Sequence, residues 1–168
     1  MLPIVLSPKL MRAGVAGEGE GLARRRSLLA EAGFEYVVIS RTADAAALRG
    51  LQILFVAGLP RPAAAKLAEI ARRAGTLVNV EDVPDLCDFH VPAVVRQGDL
   101  LLTVSTGGLA PGLSRSIREW LQEKFGPEWR SRAAQVGRAR EHWRKKGLEA
   151  SEVSDRTREM VEEKGWLS

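Results

Sequence analysis

Cysteine occurs once in the 168 residues, at Cys87, and histidine twice, at His90 and His142. One thiol rules out an internal disulfide and fits a reducing compartment. Cys87 and His90 form a C-x-x-H pair, but a structural zinc needs four ligands and His142 lies far along the chain, so no metal site is expected. Aromatic residues make up only 5% of the chain, with a single tyrosine. That leaves no stacking platform or recognition motif for nucleic acid, and none is expected as a partner. Long hydrophobic runs are missing too, since nothing approaches the roughly 20 residues that span a bilayer. The apolar start, residues 1–10, has neither a basic leader nor a small-residue cleavage pattern, so a cytoplasmic location is expected. Charge of one sign is also lacking: 25 Lys and Arg stand against 21 Asp and Glu, a net +4 spread along the chain. A balance of that size suits a polyanionic small molecule.

What is present is an alternation of apolar runs and helical patterns, the mark of a parallel α/β sheet. Strands are expected at 12–16, 36–40, 53–57, 76–80 and 100–105. Their apolar residues run on without alternation, as burial on both faces of a parallel sheet requires. A helix is expected at 22–32, stopped by Gly33, and another from Pro62 to Gly75, with small residues on its packing face. After Phe125 the pattern turns charged and helical. One helix is expected at 128–146, closed by Gly147. A second is capped by Ser151 or Ser154, carries Val153, Thr157, Met160 and Val161 on one face, and ends at Gly165. The expected fold is a Rossmann-like NAD(P)-binding domain over 1–112, followed by a helical extension over 113–168.

Gly17-Glu18-Gly19-Glu20-Gly21-Leu22 follows the first strand and opens a helix, the setting in which a G-x-G-x-x-G pattern cradles a dinucleotide pyrophosphate. Gly17 permits the tight turn and Gly19 the approach of backbone amides to phosphate. Leu22 stands where a third small residue belongs, and Gly21 can relieve this if the turn shifts. Glu18 and Glu20 are unfavourable beside a phosphate; Arg24, Arg25 and Arg26 can offset them. The second strand ends in Ser40-Arg41-Thr42, without the acid that usually bonds an adenosine ribose. Arg41 suits either adenine stacking or a 2′-phosphate, so the cofactor reads as NAD with NADP open. Gly17, Gly19, Glu20, Gly21, Arg41 and Thr42 are the candidate cofactor residues.

The densest signal lies in 79–118: Asn79, Val80 and Asp82 after an apolar run, Phe89 and Pro92, then Ser105-Thr106-Gly107-Gly108, Pro111, Ser114 and Arg115. This stretch resembles the bifunctional precorrin-2 dehydrogenase/sirohydrochlorin ferrochelatase family, including the N-terminal domain of siroheme synthase. The resemblance implies NAD-dependent oxidation of precorrin-2 to sirohydrochlorin, with ferrous iron insertion as a further activity and Fe2+ as its substrate. It also implies a homodimer built through the helical extension. Asp82 matches the aspartate implicated in both activities. Ala57 and Gly58 occupy the cofactor-side position where the family often carries a small-Thr-Asp sequence, a departure. His90 takes a position beside the cleft, where it reads either as a packed, hydrogen-bonded histidine or as a contact to a tetrapyrrole carboxylate. Ser105, Thr106, Gly107 and Gly108 form the loop near the tetrapyrrole. Ser114, Arg115 and Arg118 follow on a helix, and the two arginines, three apart, can grip carboxylates. Two alternatives stay open: a chelatase or tetrapyrrole-binding relative without hydride transfer, and a non-catalytic sensor of nucleotide or tetrapyrrole.

Overall fold

The computed structural model describes residues 1–167. Two compact units divide between Val91 and Pro92, upstream of the boundary at 112/113 expected from the sequence. In the first unit β1 (Ala13–Gly17), α1 (Gly19–Glu31), β2 (Tyr36–Ile39), β3 (Ile53–Ala57), α2 (Arg61–Arg73) and β4 (Leu77–Val80) follow in chain order. The four strands are parallel in the order β2-β1-β3-β4.

β3 is central and all five of its residues are buried, which explains its unbroken apolar run. Alternate side chains serve opposite faces. Leu54 and Val56 join Ala64, Leu67, Ala68 and Ala71 of α2, while Ile53 and Phe55 join Val15 and Leu29 beneath α1. The alanine-rich stripe of α2 lets the helix lie close to the sheet. α1 starts at Gly19, three residues earlier than expected, because β1 runs straight into the helix with Glu18 as its N-cap.

The strand expected at 100–105 does not extend the parallel sheet. It is β6 (Leu100–Val104), paired antiparallel with a strand the sequence reading missed, β5 (Ala93–Gln97). Gln97 faces Leu100 across a two-residue loop. Gly98 there has φ +63 and Asp99 has no positive φ, the arrangement of a type II′ hairpin turn. α3 (Pro111–Lys124), α4 (Glu128–Lys145) and α5 (Ala150–Glu163) complete this unit. Neither Ser151 nor Ser154 caps α5; Glu149 does, in a reciprocal capping box with Glu152. Val153 is buried on the expected face. Arg132 lies over both the Trp129 and Trp166 rings, 4.9 and 5.5 Å from their centroids, and ties the turn after α5 to α4. No helix among the described residues is long and apolar enough to cross a membrane.

Candidate active site

In the first unit the chain leaves β1 toward β2 on one side and enters β3 on the other, so the crevice between the β1 and β3 ends is a topological switch point, where open α/β sheets bind ligands. The Glu18 N–H donates to the Ala57 carbonyl at 3.2 Å and ties the two loops together. Gly17 has φ +132, and a Cβ there would stand 1.7 Å from the Ala57 carbonyl oxygen. Gly58 has φ +70, with a Cβ position 2.1 Å from the Glu18 carbonyl oxygen. The departure at Ala57-Gly58 therefore has a steric reason: only glycine fits against the glycine turn.

A dinucleotide fits the residues present. Gly19 has φ +67 and nothing within 4 Å of its Cβ position, so a ligand can approach its backbone. The N-terminus of α1 has no side-chain cap bond, which leaves its amides and positive dipole end to an anion. Gly21 is buried, its Cβ position 3.2 Å from the Ala57 Cβ. It does the close-packing work assigned to a third glycine, one position early. Glu20 points outward, its side chain 97% exposed and 3.7 Å from Arg24. At the end of β2 the Ser40 hydroxyl accepts from the Thr42 N–H at 3.2 Å and lies 3.0 Å from the Thr42 hydroxyl. This closes a small turn that leaves Arg41 exposed.

Asp82 sits just past β4 in the turn Val80–Val83, closed by the Val83 N–H on the Val80 carbonyl at 3.3 Å. Its φ is +58, the one non-glycine residue with positive φ among those described. Such a conformation costs about 1–3 kcal/mol and persists only where the surroundings impose it. They do so on both sides. Upstream, the Glu81 N–H donates to the Val56 carbonyl at 2.9 Å. Downstream, side chains cap the free edge of β4. The Val80 N–H donates to Cys87 Sγ at 3.2 Å, whose S–H faces the carbonyls of Val80 at 3.1 Å and Val83 at 3.4 Å. The Val78 N–H donates to Asp88 Oδ2 at 2.8 Å, and Arg72 holds Asp88 Oδ1 and the Leu86 carbonyl, each at 2.8 Å. Arg61 pairs with Asp85 and holds its carboxyl below the ordinary carboxylate range. Cys87 is thus accounted for as an edge-capping group.

Asn79 is 5% exposed; its amide donates to the Phe89 carbonyl at 2.9 Å, while its Oδ1 is buried without a partner. His90 is exposed rather than packed. Sequence reasoning passed over Glu81, which directs its carboxylate at the first turns of α1. The signal available was an acid directly after an apolar strand, in a chain whose first helix carries three successive arginines.

In the second unit, Gly107 and Gly108 turn the chain with φ +67 and +85 between β6 and α3. Thr106 and Ser114 face each other with hydroxyls 3.0 Å apart, and Thr106 Oγ1 accepts from the Ala110 N–H at 3.2 Å. Those two hydroxyls build the loop. Ser105 is exposed and accepts from the Gly107 N–H at 3.2 Å, which leaves its own O–H to donate. Arg115 and Arg118 do share a face, but both turn to Glu119, at 3.0 and 3.1 Å. The Arg115 hydrogen bond, followed by the charges of both arginines, holds the Glu119 carboxyl below its ordinary range.

Parallel strands in this order, with a glycine turn at the switch point, define a Rossmann-like domain of the dinucleotide-binding type. Residues 4–93, more than half of the chain, match the family described as "Putative NAD(P)-binding", and the chain belongs to that family. It is 32% identical over 181 aligned residues to a siroheme synthase of Methylococcus capsulatus, covering 88% of this chain and 38% of that protein. A siroheme synthase of Methylobacillus flagellatus is 34% identical over 137 residues, 70% of this chain and 29% of that protein. The chain thus spans only about a third of these relatives. The solved structure of SirC, precorrin-2 dehydrogenase, superposes with a TM-score of 0.75 at 19% identity, covering 100% of this chain and 93% of that one, a likeness of fold. The family resemblance read from Asn79 to Arg115 is borne out by these matches.

Proposed function

We propose that this chain oxidises precorrin-2 to sirohydrochlorin in siroheme biosynthesis, as a cytoplasmic homodimer using NAD, and that it also inserts ferrous iron into the product. The observation that carries this reading is Asp82, an exposed carboxylate held at φ +58 beside the crevice of the glycine turn. It follows the carboxyl end of β4, the side of an open α/β sheet on which ligands bind. The names of the siroheme synthase relatives and of the SirC neighbour supply the substrate class.

Gly17, Gly19, Gly21 and Gly58, with the uncapped start of α1, would hold the pyrophosphate; Arg41 and Thr42 lie at the adenosine end. Bound there, NAD supplies a hydride acceptor. The macrocycle gives up one hydride and one proton in the oxidation, and Asp82 takes the proton. In metal insertion two pyrrole N–H protons leave as Fe2+ enters, and the same carboxylate receives them in turn. The Ser105 hydroxyl, the amide of Gly108, and the arginines at 115 and 118 are donors of the type that substrate carboxylates need. His90, exposed, is available to a carboxylate as well.

A second reading, binding or chelation without hydride transfer, draws on Glu18, an exposed acid at the N-cap of α1 beside the proposed phosphate site. Anaerobic precorrin-2 mixed with the protein and either NAD or NADP, without metal, separates the two. Sirohydrochlorin absorbance that depends on the dinucleotide supports the dehydrogenase and identifies the cofactor. Tetrapyrrole binding without product transfers the case to the second reading, to be followed by Fe2+ uptake.

A further inference from the structure

Glu81 precedes Asp82, yet its side chain turns away from solvent, 14% exposed, into α1. Its Oε1 lies 3.4 Å from Arg24 and 3.9 Å from Arg25. Its Oε2 lies so close to Gly21 that a Cβ there would stand 2.1 Å away. Arg25 lies against the sheet, its guanidinium 5.6 Å from the centroid of the Phe55 ring of β3 and its Nε buried without a hydrogen-bond partner. The Glu81 N–H meanwhile continues the β4–β3 ladder onto Val56. Backbone and side chain of one residue therefore bind the sheet and the cofactor-side helix together, one peptide before the strained aspartate.

We propose that Glu81 is a positioning residue: clamped by Arg24 and Arg25 against Gly21, it fixes the Val80–Val83 turn so that Asp82 is presented at a set distance from the glycine turn. This rests on the reading of Asp82 as the proton acceptor. Glu81 touches neither substrate nor cofactor in this role; it acts through the peptide it shares with Asp82. A surface ion pair would contribute little; here Arg24, at 3.4 Å, is 62% exposed, while Glu81 and Arg25, 3.9 Å apart, are 14% and 18% exposed, so the shielded contact is the one to Arg25. Loss of the carboxylate charge frees the turn to relax, and small misplacements of a reacting group are costly in rate.

The test compares the full-length protein with Glu81→Gln, Arg25→Gln and the double variant, with NAD affinity by calorimetry, melting temperature, and kcat and KM for precorrin-2. Glu81→Gln is expected to lower kcat about ten- to hundredfold, with KM and NAD affinity within about twofold of the parent. The double variant should be no worse than the poorer single one, as two members of one contact require. An unchanged kcat, additive losses, or a kcat that falls in step with NAD affinity and melting temperature would each overturn the proposal. A parent protein that binds NAD but leaves precorrin-2 untouched defeats the functional reading, and this proposal with it.

Discussion

Gly17 ends β1 and Asp82 follows β4 by two residues, both at positive φ, +132 and +58, and they got there for opposite reasons. At Gly17 the fold leaves no choice: a Cβ would stand 1.7 Å from a backbone oxygen. At Asp82 the fold leaves a choice, and the sequence takes the harder option. The side chain is exposed, and no packing contact demands an aspartate. Gly17 is set by local sterics and tells how the crevice is built; Asp82 is a residue that tolerates the left-handed turn and brings a carboxylate to it. Gly58 belongs with the first kind, hemmed in by Glu18, and that is why the departure at Ala57-Gly58 is compatible with a working cofactor turn.

The contrast can be broken most forcefully at Gly17. Gly17→Ala is expected to destabilise the protein by at least about 3 kcal/mol, because the methyl group meets main chain rather than a side chain that can move. Guanidinium unfolding measures this, and a loss below about 1 kcal/mol would show that the β1 and β3 ends have slack the structure does not reveal. Asp82→Gly should do the reverse. Relief of the left-handed conformation raises stability by about 0.5–1 kcal/mol, while precorrin-2 turnover falls about 10²–10⁴-fold with the carboxylate gone. A variant that loses stability and keeps its rate would place Asp82 with Gly17 as a structural residue.

The first unit was legible because each of its strands announces itself alone. Residues 53–57 are apolar throughout, and 76–80 carry three apolar residues with Thr76 and Asn79 buried among them, so neither run needs a partner to be recognised. The strands of the second unit were less legible for a physical reason. Leu100 to Val104 looks like a buried parallel strand until its neighbour is known, and that neighbour, Ala93–Gln97, is broken by Arg96. The Gly98-Asp99 pair between them is a hairpin signal, and weighing it would have moved the boundary from 112/113 to the observed division. Asp82 could be named from the motif, yet its strain could not, since φ is set by contacts distant in sequence. The same holds for Cys87, whose thiol serves β4 as a ladder partner, and for Glu81, which meets residues more than fifty positions upstream.

The smallest effect is expected at Arg115 and Arg118, where the sequence placed two cations on one face and the structure adds the anion between them. Unlike Asp82, these side chains are already engaged, so a substrate carboxylate must displace Glu119 to reach them. Glu119→Gln should therefore tighten tetrapyrrole binding about two- to fivefold at low ionic strength, with the gain fading as salt screens it. Acidification does not reproduce the gain in the working range. The arginines hold the Glu119 carboxyl below its ordinary value, so it stays ionised from pH 5 to 8, above the ordinary carboxylate range of about 4. Its contribution to the folded state is fully present above that range and lost only as pH falls through the lower folded value. Binding titrations of parent and variant across this window should run parallel. Curves that converge toward pH 5 would mean that Glu119 takes up its proton inside this window and that the two arginines do not hold it ionised.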